Sequence, residues 1–366
     1  MKRLLLIALF FAGCNDTTPT PVCPSPNDDD DDDARTVIQS TPSIWLTAPE
    51  IVSLPTEGSA WDALVAAAAL TPLPPNLADQ DQDNNVIVMA KALVYVRTGS
   101  YRDEVRANCM AAIDTELGGR TLALGRELAA YVIAADLVGL EPAEDVAFRD
   151  WLVRCRDETL EGRTLVSTHE DRPNNWGTHA GCSRLAVALY LGDQAEVDRV
   201  AQVFRGWLGD HASYDEFSWG ELDWQADSLA PVGINPVGAT IQGQSVDGAL
   251  PEEMRRGGPF AWPPAHTGYA WEALQGTVGT AWILSRHGYP DVWNWEDQAV
   301  LRACEFLFTL DASFGGWWAE GDDAWVPWIV NKAYGTSFPT EPAGAGKNLG
   351  WTDWTHVQRT SDVAEP

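Results

Sequence analysis

Between about Ser59 and Leu310 the apolar residues return every three or four positions, the repeat of a helix that buries one face. Nine segments carry this period, from "SAWDALVAAAAL" at Ser59 to "EDQAVLRACEFLFTL" ending at Leu310. Several stop at glycine, as at Gly99, Gly118, Gly139, Gly192 and Gly288, where a residue without Cβ can take the left-handed conformation that ends a helix. No period-two run with an Asn-Gly turn appears, so strands should be few. The class is therefore all-α. Short connections imply antiparallel helix pairs. Pairs curling into a toroid leave a central cleft, and a compact irregular bundle satisfies the same period.

At 366 residues and 45% hydrophobic, the chain can build one large core or two modest ones. The globule is assigned to residues 37–366 as a single catalytic domain. Ahead of it, "MKRLLLIALFFAGC" has a basic start, an apolar run too short to span a bilayer and small residues before a cysteine, the pattern of an export signal. "FAGC" resembles a bacterial lipobox, which implies cleavage after residue 13 and lipidation of Cys14. Residues 14–36, rich in Pro, Thr and Asp, have almost nothing to bury and read as a tether, with the six aspartates extended and solvated. The expectation is an exported bacterial lipoprotein, periplasmic or on the outer membrane or cell surface. Its membrane contact is through the lipid alone, and it is monomeric.

Cys109, Cys155, Cys182 and Cys304 lie in the globule without a CxxC, so a zinc site is not expected; an oxidising compartment permits one or two disulfides whose pairing stays open. Net charge is −29; setting aside seven acids and three bases in the leader and tether leaves 46 acids against 21 bases, still −25. Such a surface repels nucleic acid. It also repels a polyanionic glycan, unless arginines converge locally in a groove.

Two regions break the helical rhythm. Asp210 to Thr267 is rich in Gly, Pro and Trp and far longer than an ordinary connection, the kind of ordered loop that builds a site on a helical frame. The tail after Gly315 packs across the last helices on this reading. Of 18 tryptophans, Trp176, Trp219, Trp224, Trp262 and Trp271 are in or beside these loops, where aromatic faces can stack on sugar rings; core filling is the competing role.

The chain has no GxSxG elbow, HExxH, Walker loop or dinucleotide fingerprint, which removes most hydrolase, metalloprotease and nucleotide-dependent chemistries. What remains polar in the loops is Asn174, Asn175, His179, Arg255, Arg256, His266 and Tyr269. These types suit β-elimination from a uronic acid polymer. Removing the C5 hydrogen places negative charge on the adjacent carboxyl group, which amide and guanidinium donors must neutralise. A base takes that hydrogen and an acid protonates the departing glycosidic oxygen, roles open to His and Tyr. Asn175 bonds the carboxyl group with Arg256 nearby; His179 or Tyr269 is the base and Tyr269 the acid. Substrate contacts are assigned to Asn174, Trp176, Arg255, His266, Trp262, Trp224 and Arg126. Each has an ordinary alternative: either asparagine can cap the helix expected near Thr178, His179 can be a satisfied core histidine, and Arg126, with Arg120 and Arg184, can pair with the abundant acids. No metal or organic cofactor is required.

"NN" at 174–175 before a helix, then "DGALPEEMRR" from Asp247 to Arg256, then Tyr269 ahead of "EALQG", resemble the motif pair of the alginate lyase family of polysaccharide lyases. The resemblance covers roughly residues 120–285. It implies an incomplete (α/α) toroid with long loops lining a central cleft, and an acidic polysaccharide as substrate. It equates Asn175 with the carboxylate-neutralising asparagine, Arg256 with the active-site arginine and Tyr269 with the catalytic tyrosine. Trp176 stands where the family has histidine, leaving His179 or His266 to replace it, and the stretch from Arg256 to Tyr269 is longer. This is a divergent branch, on alginate, polymannuronate or glucuronan. Two rival readings stand beside it: a glycoside hydrolase using Asp223, Asp247, Glu252 or Glu253, and a non-catalytic glycan-binding lipoprotein.

Overall fold

All nine periodic segments are helices in the computed structural model, which describes residues 43–344 and 346–357. The lipobox cysteine Cys14 and the tether lie outside the described residues. In chain order the helices are α1 (Ala48–Val52), α2 (Ser59–Ala68), α3 (Asn84–Thr98), α4 (Arg102–Ala112) and α5 (Thr121–Val138). There follow α6 (Pro142–Asp157), α7 (Leu165–Asp171), α8 (Asn175–Leu191) and α9 (Gln194–Leu208). The chain ends with α10 (Pro251–Met254), α11 (Tyr269–Arg286), α12 (Trp295–Phe314), α13 (Val326–Tyr334) and α14 (Thr352–Thr355). A two-residue antiparallel pair, Thr240–Ile241 with Gln244–Ser245, is the only sheet among the described residues.

Burial sorts the helices into two layers. α5 is buried without a break from Thr121 to Ala135 and α8 from Gly177 to Ala188, as expected of helices covered on every side. α4 and α9 bury one stripe each and form part of the outer layer. Small residues let the inner helices touch. Ser183 Oγ donates to the Gly125 carbonyl at 2.8 Å and accepts from the Ala129 amide at 3.0 Å, tying α8 to α5. A Cβ at Gly125 would stand 2.9 Å from the Ala180 nitrogen, one at Gly276 would overlap the Thr178 carbonyl, and one at Gly279 would stand 2.8 Å from Cys182 Sγ.

These contacts advance together along α5, α8 and α11, so the three helices run parallel. The Asn85 side chain reaches the Arg126 carbonyl at 3.4 Å, bringing the start of α3 to the same end. With α4, α6, α9 and α12 returning outside, the helix pairs form an incomplete (α/α) toroid whose inner N-termini share one end. That end is where aligned peptide dipoles and unpaired amide N–H groups favour an anion.

Tryptophans close the ring. Trp45, Trp151, Trp224, Trp325 and Trp354 are among the largest fully buried side chains. Burying such a ring removes about 150–250 Å² from water, roughly 4–6 kcal/mol at ~25 cal/mol per Å², provided its indole N–H finds a partner, as those of Trp151, Trp224, Trp325 and Trp354 do and that of Trp45 does not. Trp351 donates to the Val86 carbonyl at 2.9 Å and Trp354 to that of Pro55 at 2.8 Å, which fastens the tail across the first helices. The cysteines correct one expectation: Cys109, Cys155, Cys182 and Cys304 are all free and buried, so the described globule is held without a disulfide.

Candidate active site

The first half of the site is the start of α8. Asn174 adopts an extended backbone and its side-chain oxygen accepts from the Trp176 amide at 3.2 Å, so it is the N-cap. The helix therefore begins at Asn175, three residues before the start expected near Thr178. Asn175, 1% exposed, has no capping duty; its backbone N–H donates to Glu253 Oε1, and its Oδ1 has no protein partner. The turn before it is pinned by Trp207, whose indole donates to the Pro173 carbonyl at 2.7 Å. Trp176 lies under the Arg172 guanidinium, 4.3 Å from ring centre to Cζ, so one of its faces is already covered.

The second half is the segment Asp247 to Arg256, and most of it is scaffold. Asp247 accepts from Arg302 and from the Gly238 amide, both at 2.8 Å. Gly248 has φ +79° and lies against the Arg302 carbonyl, where no side chain fits. Pro251 opens α10. Glu252 accepts from the Gly220 amide at 2.7 Å and from Arg255 Nε at 2.8 Å, while Arg255 also pairs with Glu221. Arg255, expected on the substrate, is thus a clip for the long loop: its charge is spent on two carboxylates.

Glu253 is 1% exposed. Burial pushes its carboxyl up to about 8, against the opposing pull of the Asn175 N–H and the Arg256 charge. Arg256 is exposed and in no ion pair among the described residues; its Cζ stands 4.0 Å from the centre of the Tyr269 ring. Tyr269 is the first residue of α11 and 40% exposed. Asn175, Glu253, Arg256 and Tyr269 therefore form one continuous run of contacts and neighbouring charges at the N-terminal ends of α8 and α11.

One turn deeper on each helix lie His179 and Glu272. Glu272 pairs with Arg126, and its Oε2 is 3.6 Å from His179 Nε2. Burial works to raise the Glu272 pKa, but His179, Arg126 and Lys347 together outweigh it and hold the carboxyl at about 2. His179 is 0% exposed, and burial lowers its pKa against the opposing pull of Glu272. Two expectations change here. Arg126 is committed to Glu272 beneath the surface, and His179 exposes no atom to a substrate.

The remaining assignments divide by exposure. His266 is exposed, edge-on to Trp317 at 5.3 Å, and Trp262 is half-buried against Phe314 at 5.9 Å. Trp224 and Trp271 are only 1% and 3% exposed, with indoles bound to the Gly258 and Trp317 carbonyls; buried rings cannot stack on a sugar, so both are packing residues. Arg120 pairs with Glu161, and Arg184 with Glu170 and Glu196. Sequence reasoning missed Glu253 as a partner of Asn175 and missed Glu272 altogether. Glu272 follows Tyr269 by three residues, on the same helical face, which was the available signal. No group of three His, Cys, Asp or Glu side chains able to hold a metal occurs among the described residues.

Residues 97–215 match the family model described as alginate lyase. Over that segment the chain is similar to the alginate lyase family. The match runs from the end of α3 past α9 and takes in Asn174, Asn175 and His179, while Arg256 and Tyr269 lie beyond it. It supports a polysaccharide lyase, and the family implies an acidic polysaccharide as substrate. No curated protein matches the chain.

Proposed function

We propose that the domain cleaves a polyuronate, of the alginate, polymannuronate or glucuronan kind, by β-elimination. The exposed Arg256 guanidinium receives the uronate carboxyl group and the Asn175 amide, 1% exposed, meets it at the floor of the site, so the charge that develops when the C5–H bond breaks is met by these donors at the positive ends of α8 and α11. Tyr269 acts on the proton: as the phenolate its oxygen takes the C5 hydrogen, and the phenol so formed passes that proton to the departing O4, which regenerates the phenolate. As the C4–O4 bond breaks, a C4–C5 double bond forms. With His179 enclosed, Tyr269 is the exposed group at the head of α11 able to fill both roles, and His266 is the exposed imidazole nearest to it in sequence.

The observation that carries this reading is that Glu253, which accepts the Asn175 N–H, and Arg256, which stacks over Tyr269, stand three residues apart in one fixed segment. Among its candidates the hydrolase reading is left with Asp223 and no second carboxylate, because Asp247, Glu252 and Glu253 are all engaged in the scaffold. The enclosed His179 and the covered Trp176 favour one other reading, a glycan-binding protein without turnover. Incubating the domain with alginate, polymannuronate, polyguluronate, glucuronan and hyaluronan separates the three. Elimination raises ultraviolet absorbance through the conjugated double bond, hydrolysis adds reducing ends without it, and a binding protein retains the polymer unchanged. We further place the chain at a membrane through lipid on Cys14; acyl labelling that persists in Cys14→Ala would contradict this.

A further inference from the structure

The scaffold contains one carboxyl group that faces the site from behind. Glu253 sits in α10, yet its Oε1 accepts the backbone N–H of Asn175 on α8, and its other oxygen is buried without a protein partner. Three residues later the same segment presents Arg256 over Tyr269. The segment is itself fixed at both flanks, by Asp247 on Arg302 and by Glu252 on the Gly220 amide. A fixed segment that grips the first residue of α8 sets where Asn175 stands relative to Arg256.

We infer that Glu253 is a positioning residue for the elimination: through its bond to the Asn175 N–H it fixes the carboxylate-binding amide against Arg256 and Tyr269. This rests on the lyase reading above and adds a residue to it. The function needs an acceptor at the position of Oε1, at the full length of the side chain. A carboxamide supplies that acceptor, whereas a shorter carboxylate withdraws it by one methylene and alanine removes it.

The test uses the full chain acting on whichever polyuronate wild type cleaves, with kcat and KM measured for Glu253→Ala, Glu253→Asp and Glu253→Gln. Misplacing a positioned group by about 1 Å costs on the order of 10²-fold. The expected result is a loss of about 10²-fold in kcat for the alanine variant, with KM within about threefold of wild type. Glutamine should restore kcat to within about threefold of wild type. Unchanged kcat in the alanine variant, a loss confined to KM, or a glutamine variant as impaired as alanine would each overturn the inference. Should the alanine variant fail to fold, the aspartate variant decides: a kcat at least ~10-fold below that of the glutamine variant supports the role, and parity with wild type overturns it. Should wild type cleave no polyuronate, it is the lyase reading that fails, which these variants cannot imitate.

Discussion

Asn174 and Asn175 are identical neighbours, and only their backbone places tell them apart. The extended Asn174 spends its side chain on the Trp176 amide, which leaves Asn175 without a capping duty and its side-chain NH2 as the group able to donate to a carboxylate. Sequence assigned the carboxyl group to Asn175 but left either asparagine able to cap, because helix starts are set by which residue leaves the extended region first. The two arginines divide in the same way: Arg255 is neutralised by Glu221 and Glu252, and Arg256 keeps its charge. Arg256→Ala should therefore weaken both substrate affinity and rate. Glu253 yields a pH prediction. It holds its proton more tightly in the folded chain than in the unfolded one, so the stability this contributes is complete in acid and is lost as pH rises through about 8. Urea unfolding of wild type and Glu253→Gln at pH 5 and pH 9 checks this. Wild type should lose ground to the variant at the higher pH, and a gap that does not change with pH counts against it.

At the scale of elements, the inner helices hold the site by close approach. Gly276 of α11 lies on the carbonyl of Thr178, one turn below Asn175 on α8 and two turns below Tyr269 on α11. Gly276→Ala has to push α11 off α8, an overpacking that costs about 1–3 kcal/mol and parts the two catalytic helix ends. A lowered thermal midpoint together with lowered turnover is expected, and an unchanged midpoint would show that the crossing tolerates a methyl group. Asn174→Ala removes a cap and should cost about 1 kcal/mol in denaturant unfolding. Nine long helices were legible because each repeats its apolar face over several turns. α1, α7, α10, α13 and α14 run from four to nine residues, too few for a period to show, and α10 is the one that carries Glu253.

For the whole molecule, an acidic chain is expected to hold an acidic polymer, which works only if positive character is local. The shared N-terminal end of α3, α5, α8 and α11, with Arg256 exposed at it, supplies that locality. Sequence gave the net charge and the arginines but not which of them the acids consume: Arg126, Arg184 and Arg255 are all paired. The tryptophans were similarly ambiguous. Composition cannot separate a sugar platform from a ring fastening a tail, and Trp351 and Trp354 do the fastening. With its four globular cysteines reduced and buried, the domain should keep its thermal midpoint whether or not a reductant is present; a drop on reduction would reveal a disulfide. Tyr269 moves a proton for a carboxylate held by Asn175 and Arg256 in the proposed elimination, and the direct measurement is the ultraviolet progress curve of wild type against Tyr269→Phe on a cleaved polyuronate. Loss of the phenol should slow product formation by roughly 10²–10⁴-fold with folding intact. A phenylalanine variant that makes unsaturated product at the wild-type rate would contradict it.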